Sequence, residues 1–198
     1  MNIVKVIIVF LMEIMETIVF VGSLFIVVYL FILQPNQIKG ASMEPTFQNG
    51  NYIFTSKVTY KMREPVRGDV VVFHAPRNPD LEYIKRVIAL PGDTVLVQSE
   101  KVYVNGVELT EKYISDVTTL SLAGFLQEGV PITVNKGQYF VMGDNRPRSS
   151  DSREFGPITY ESIIGQVIFR YFPFDKLGQV KNPYEAKKEL TYSFLVLN

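Results

Sequence analysis

The chain has 198 residues, 47% of them apolar, which suffices for one domain with a real core and a small appendage but leaves little room for two. Its 20 basic and 20 acidic residues cancel, so no basic footprint points to nucleic acid as a partner. Cysteine is absent and His74 is the only histidine; disulfides, thiol nucleophiles and a multi-histidine metal site are excluded, and any Ser-His-Asp arrangement would have to use that one ring.

Residues 3–33 are almost continuously apolar, broken by Lys5, Glu13 and Glu16, and Thr17 to Leu33 carries no charge. At about 1.5 Å per residue such a run nearly crosses a hydrocarbon core, which predicts one membrane-spanning helix within residues 1–35 and makes the lipid bilayer a partner. Glu13 and Glu16 share a helix face, at headgroup level or against a partner helix, because a carboxylate at mid-bilayer is costly. The nearest small-x-small cleavage site, Gly40-Ala41-Ser42, would destroy the stretch that follows, so the segment reads as an uncleaved single-pass anchor. Lys5 marks the amino-terminal side as cytoplasmic, which leaves the rest of the chain extracytoplasmic.

Gly40-Ala41-Ser42-Met43-Glu44-Pro45-Thr46-Phe47 places a hydroxyl between small residues and a proline-fixed backbone. Taken alone it is either an ordinary turn or the mount of a nucleophile, Ser42. From Asn51 the chain reads as strands: Asn51 to Phe54, then Asp69 to Phe73, a β-branched run suited to burial on both faces. Glu82 to Leu90 ends at the Pro91-Gly92-Asp93 turn. Lys101 to Leu109 is a hairpin signature around Asn105-Gly106, and Tyr113 to Val134 lacks periodicity. Gln138 to Met142 and Ser162 to Tyr171 resume as strands.

The predicted organisation is mainly β. It comprises the anchor, a β core from 36–93 and 138–180, a small β-rich insertion at 94–137, and a tail from 181 to 198. The tail ends in Phe194-Leu195-Val196-Leu197, too short to span a bilayer.

In the strand Tyr83-Ile84-Lys85-Arg86-Val87-Ile88-Ala89-Leu90, alternation sets Tyr83, Lys85, Val87 and Ala89 on one face and Ile84, Arg86, Ile88 and Leu90 on the other. Lys85 thus stands among apolar neighbours, either as an edge gatekeeper with its head in water or as a buried amine neutral enough to accept a proton. Arg86, on the opposite face, is the residue expected to serve the surface. Gly143-Asp144-Asn145-Arg146-Pro147-Arg148-Ser149-Ser150-Asp151-Ser152-Arg153 is dense in short polar side chains that lock a loop to its own backbone. Its charges suggest struts pairing Arg146 or Arg153 with Asp144 or Asp151.

In kind, order and spacing these stretches, with Arg67-Gly68-Asp69-Val70-Val71-Val72-Phe73, resemble the motifs of bacterial type I signal peptidases. These are membrane-anchored Ser/Lys endopeptidases that remove signal peptides from exported proteins. The match covers the anchor and most of Ile38 to Gly156. The resemblance implies a signal-peptidase-like β-barrel or sandwich in the plasma membrane of a bacterium, and no cofactor or metal. It implies Ser42 as nucleophile, Lys85 as general base, Ser149 as the hydroxyl coordinating the lysine, and Arg146, Asp151 and Arg153 as braces. Preprotein signal peptides are the implied partners. Their Ala-x-Ala ends bind extended, with Ile38, Met43, Tyr83 and Ile84 as linings.

Three positions depart from the family pattern. Some members carry serine where Gly40 stands, so here the oxyanion falls to the Ser42 backbone N–H with a water or another donor. Lys39 stands where proline is common, and Ala89 where glycine is. Self-cleaving repressors share a Ser/Lys pair but carry their Ala-Gly site upstream of the serine, whereas Ala123-Gly124 lies far downstream. A non-catalytic membrane-tethered β module would have no reason to keep Ser42, Lys85, Ser149 and Asp151 together. The archaeal and endoplasmic-reticulum type uses histidine where Lys85 stands.

Overall fold

The computed structural model describes residues 3–184, so the end of the tail, with its Phe194 to Leu197 run, lies outside the described residues. The chain starts as one helix, α1 (Ile3–Phe31), with no buried residue and with length and composition enough to cross a membrane. Its polar side chains bond inward: Thr17 Oγ1 donates to the Glu13 carbonyl at 2.8 Å and Ser23 Oγ to that of Phe20 at 2.8 Å. The helix stops two residues short of the predicted Leu33.

The helix passes directly into a strand that the sequence did not reveal, β1 (Leu33–Gln37), because Pro35 reads as a strand breaker. At the sheet edge Pro35 is tolerated: β1 pairs on one side only, with β2 (Tyr52–Ser56). The short α2 (Thr59–Met62) leads to β3 (Val70–Ala75) and β4 (Asn78–Ala89). Next come β5 (Thr94–Gln98), β6 (Lys101–Val104), β7 (Val107–Glu108) and β8 (Ile132–Thr133). The chain then forms β9 (Gln138–Met142), α3 (Ser152–Phe155), β10 (Ile158–Thr159), β11 (Ile163–Phe172) and β12 (Gly178–Gln179). Asn105 and Gly106 have φ of 53° and 76°, both left-handed, as the hairpin between β6 and β7 requires.

The larger sheet runs in the order β1-β2-β11-β3-β4-β9-β10, with β12 beside β11, and the smaller in the order β7-β6-β5-β8. All pairings are antiparallel and neither sheet closes into a barrel.

β3 is buried on both faces, as its β-branched run predicts. Val70 and Val72 join Ile38, Met43, Phe47, Ile53 and Val167 on one side; Val71 and Phe73 join Val87, Tyr139, Val141 and Ile158 on the other. A third cluster packs the small sheet, through Val95, Val97, Val102 and Val104, onto Ile88, Ala89, Phe140 and Met142. Alternation along β4 fails there. The register shifts between Val87 and Ala89, so Ile88 and Ala89 both enter the third cluster.

Candidate active site

Ser42 sits where the chain leaves β1. Gly40, at φ +95°, makes the bend and its N–H donates to Asn49 Oδ1 at 2.9 Å. Met43 and Phe47 are wholly buried beneath the loop, and the Phe47 N–H donates to the Met43 carbonyl at 2.8 Å, so the serine is pegged to the core on its carboxyl side. The Ser42 carbonyl accepts the Asn145 N–H at 3.0 Å, while its own N–H makes no hydrogen bond to any described residue.

β4 brings Lys85 to this hydroxyl. Its Nζ lies 2.9 Å from Ser42 Oγ and 2.9 Å from the Ile84 carbonyl, and 5.3 Å from the centre of the Tyr83 ring. The side chain is only 4% exposed. Burial pushes the ammonium pKa down to about 8, against the upward pull of Asp151 and Asp144, while Arg153 adds a smaller downward push. The gatekeeper alternative, with the amine in water, is excluded.

The loop after β9 supplies those charges. Gly143 N–H and Arg153 Nη2 reach Asp151 Oδ2 at 3.0 and 2.8 Å, and Arg153 Nε reaches Oδ1 at 2.8 Å. Arg153 also donates to the carbonyls of Arg146 and Thr119, each at 2.7 Å. Arg146 donates to the Gly143 carbonyl at 3.1 Å and to Thr118 and Glu111, tying the loop to the segment between β7 and β8. Of the anticipated struts, Arg153–Asp151 forms; Arg146 pairs with Glu111 instead.

Asp144 belongs to Arg86, and here the surface role given to that arginine is corrected. Arg86 is 2% exposed; its Nε and Nη2 reach the two carboxylate oxygens of Asp144 at 2.8 and 2.6 Å, and its Nη1 donates to the Gly68 carbonyl at 2.9 Å. This is a bidentate pair closed off from water, and Asp144 holds the guanidinium pKa up despite burial. Thr46 Oγ1 donates to Asp144 Oδ2 at 2.5 Å, so the pair connects the lysine strand to the serine loop. Neither Arg86 nor Thr46 stood among the sequence candidates for the site, and Asp144 stood there only as a strut for Arg146 or Arg153. The signal available was the dense charge at 144–153 facing two adjacent cations.

Ser149 lies against Gly143. A Cβ on Gly143 would collide with the Ser149 hydroxyl and the Ser42 carbonyl, so any side chain there must push one of them aside. The Ser149 hydroxyl is buried and makes no hydrogen bond, to Lys85 or to any other described group.

A groove of about 620 Å³ opens beside the serine between β1 and the first half of β4. Ile38, Tyr83 and Ile84 line it with Ile53, Val72, Arg148 and Ser150. Met43, anticipated among these, is instead wholly buried in the cluster supporting the floor, because it follows Ser42 on the inward side of the turn. His74 is exposed on β3, its Nδ1 2.8 Å from the Pro79 carbonyl, and takes no part in the groove. Among the described residues no group of three acidic or histidine side chains converges where a metal ion could sit.

A family profile described as "Signal peptidase, peptidase S26" matches residues 11–172. Signal peptidase IB of Staphylococcus aureus (strain COL) is 37% identical over 193 residues, covering 88% of this chain and 98% of the relative. A probable signal peptidase I-1 of Synechocystis is 39% identical over 157 residues, 76% of each chain. The crystal structure of a signal peptidase I from Enterococcus faecalis V583 is 37% identical and covers 53% of this chain and 97% of that one, with a TM-score of 0.44. Matched over most of its length by the family and by relatives of nearly its own size, the chain belongs to the signal peptidase family, peptidase S26.

Proposed function

We propose that this protein is a membrane-anchored serine endopeptidase that removes signal peptides from preproteins through a Ser42/Lys85 dyad. The observation that carries the reading is the 2.9 Å approach of a buried, partly neutral amine to a held hydroxyl. Neutral Lys85 accepts the proton of Ser42 as Oγ attacks the scissile carbonyl; the Ser42 N–H, which bonds to no described residue, stabilises the oxyanion. The ammonium then protonates the leaving amine. Lys85, neutral again, takes a proton from water, and the resulting attack releases the acyl group as a carboxylate.

Substrate binding follows from the sheet edges. β9 pairs with β4 only from Arg86 onward, which leaves the preceding edge of β4 unpaired by any described strand. An extended peptide with small side chains can add there, its Ala-x-Ala side chains over Ile38 and Ile84. In this reading residues 1–35 anchor the chain, 36–93 with 138–180 carry the catalysis, 94–137 form an appended unit, and 181–184 begin the tail. With the amino terminus cytoplasmic, α1 delivers the groove to the outer bilayer surface, where a signal peptide's apolar segment ends.

The test is processing of a preprotein bearing an Ala-x-Ala site by the detergent-solubilised protein, beside Ser42→Ala and Lys85→Ala. Wild type cleaves and both variants fail; equal processing by Lys85→Ala overturns the dyad.

A further inference from the structure

After β12 the chain turns back across the sheet beside the lysine strand. The Val180 N–H donates to the Ile168 carbonyl at 2.9 Å and its side chain packs on the cluster below the groove. Asn182 Nδ2 donates to the Arg67 carbonyl at 2.9 Å and to Asp69 Oδ1 at 3.2 Å, while its Oδ1 accepts the Tyr184 N–H at 2.9 Å. Gly68, left-handed at φ +93°, lies beneath: a Cβ there would collide with the Asn182 carboxamide and the Tyr184 ring. The Tyr184 hydroxyl is 3.0 Å from that of Tyr113, and the two rings meet edge to face.

Both residues touched in this way hold Arg86. The Gly68 carbonyl accepts from it, and the Tyr113 ring lies 4.2 Å from its guanidinium carbon, a cation–π contact in a dry site. Arg86 in turn holds Asp144, which holds Thr46 in the serine loop. We propose that Asn182 and Tyr184 form a positioning strap: by clamping the Arg67–Asp69 turn and Tyr113 onto Arg86, they fix the Arg86–Asp144 pair and so keep Ser42 in reach of Lys85. The inference rests on the Ser42/Lys85 reading of the site.

The strap also keeps water from that pair. The groups facing the Lys85 amine are Ser42, the Tyr83 ring and the Ile84 carbonyl, with Asp144, Asp151 and Arg153 across from it. Burial is the largest influence on that amine, so a loosened pair that admits water to the amine itself moves its pKa upward.

The experiment compares Asn182→Ala/Tyr184→Ala with wild type in the full-length, detergent-solubilised protein, following preprotein cleavage from pH 6 to 10. The strap requires kcat to fall about tenfold with KM held within about twofold. It also requires the midpoint of the pH–kcat curve to rise, and Tyr184→Phe, which keeps the ring on Gly68, to stay near wild type. Asn182→Ala alone, the milder change, must shift kcat and midpoint in the same direction by less. A lowered unfolding temperature with kcat and midpoint unchanged overturns the inference, since the segment would then serve only the fold. Failure of wild type itself to cleave would overturn the peptidase reading instead.

Discussion

The Nζ of Lys85 stands 2.9 Å from Oγ of Ser42, across a separation of 43 residues in sequence. Lys85 lies on β4 and Ser42 on the loop after β1, a strand that does not pair with β4, and the Asn145 N–H bonds the Ser42 carbonyl from the loop after β9. With the lysine pKa near 8, the active neutral form is a minority at pH 7. Activity is therefore expected to rise about tenfold per pH unit below pH 8 and to level off above it. Lys85→Arg, charged at every accessible pH, should remove the rise and cost about a thousandfold in rate. A profile flat from pH 6 to 9 for wild type would show that no amine titrates in the reaction.

The same lysine weakens the fold. Its folded pKa of about 8 lies below the ordinary 10.5, so the unfolded chain binds the extra proton between those values. Stability rises with pH through that window, and below pH 8 the full penalty of the buried charge is present, roughly 3 kcal/mol. Lys85→Met should therefore be inactive yet more resistant to heat or denaturant than wild type at pH 7. The gap should narrow as pH approaches 10.5. A variant less stable than wild type at pH 7 would mean the amine is not desolvated.

Arg86 and Asp144 form a pair of opposite sense, with side chains 2% and 0% exposed. Removing one partner strands a charge in a dry site: Asp144→Ala should cost about 3–5 kcal/mol, read from denaturant unfolding. Replacing both with apolar residues, Arg86→Met with Asp144→Leu, should restore most of that stability. Activity should stay low in the double variant, because Thr46 loses the oxygen that holds the serine loop. Recovery of activity along with stability would show that the pair serves packing alone.

These contrasts mark what local sequence conveys. β9 matches its predicted bounds, and β3 is buried on both faces, because hydrophobic pattern and turn residues settle both within a few positions. Proline, glycine and an apolar strand single out Ser42 and Lys85 in the sequence, which by itself left each with a plain alternative, a turn and an edge gatekeeper; the burial of the Lys85 amine beside Ser42 depends on the fold. The role of Arg86 was not legible, since strand alternation places it opposite Lys85 but says nothing of a carboxylate 58 residues later that buries it. Met43 was misread for the same reason: its depth depends on Ile53 and Val167, contributed by β2 and β11. The two-residue strands β8, β10 and β12 carry too little pattern to be seen at all, whereas the equally short β7 is marked by the Asn105-Gly106 turn before it.

Gly143 gives a test of how tightly the loop must fit. Its missing side chain leaves room for the Ser149 hydroxyl and the Ser42 carbonyl together. Gly143→Ala must push one of them aside, and the carbonyl is joined through its own peptide to the nucleophile. We expect kcat to drop by about a hundredfold with KM little changed. Near-normal turnover would show that the loop and serine can separate without loss.

The Ser149 hydroxyl is the one buried side-chain polar atom among the described residues with no hydrogen-bond partner. An orphaned hydroxyl destabilises a fold by about 1–3 kcal/mol, so chains keep one chiefly where chemistry uses it. The site geometry supplies a use: the hydroxyl packs against Gly143, beside the Ser42 carbonyl, on the loop whose Asp151 faces the lysine. If Ser149 orients the neutral amine during proton transfer, Ser149→Ala should lower kcat by about a hundredfold while leaving the unfolding temperature equal to wild type or higher. A structural serine would give the reverse, with activity intact and stability reduced. Ser149→Thr, which retains the hydroxyl, should recover part of the rate if its methyl is accommodated. Comparing all three proteins by thermal unfolding and single-turnover cleavage separates the two roles, because the first lowers rate with stability kept or raised and the second lowers stability with rate kept.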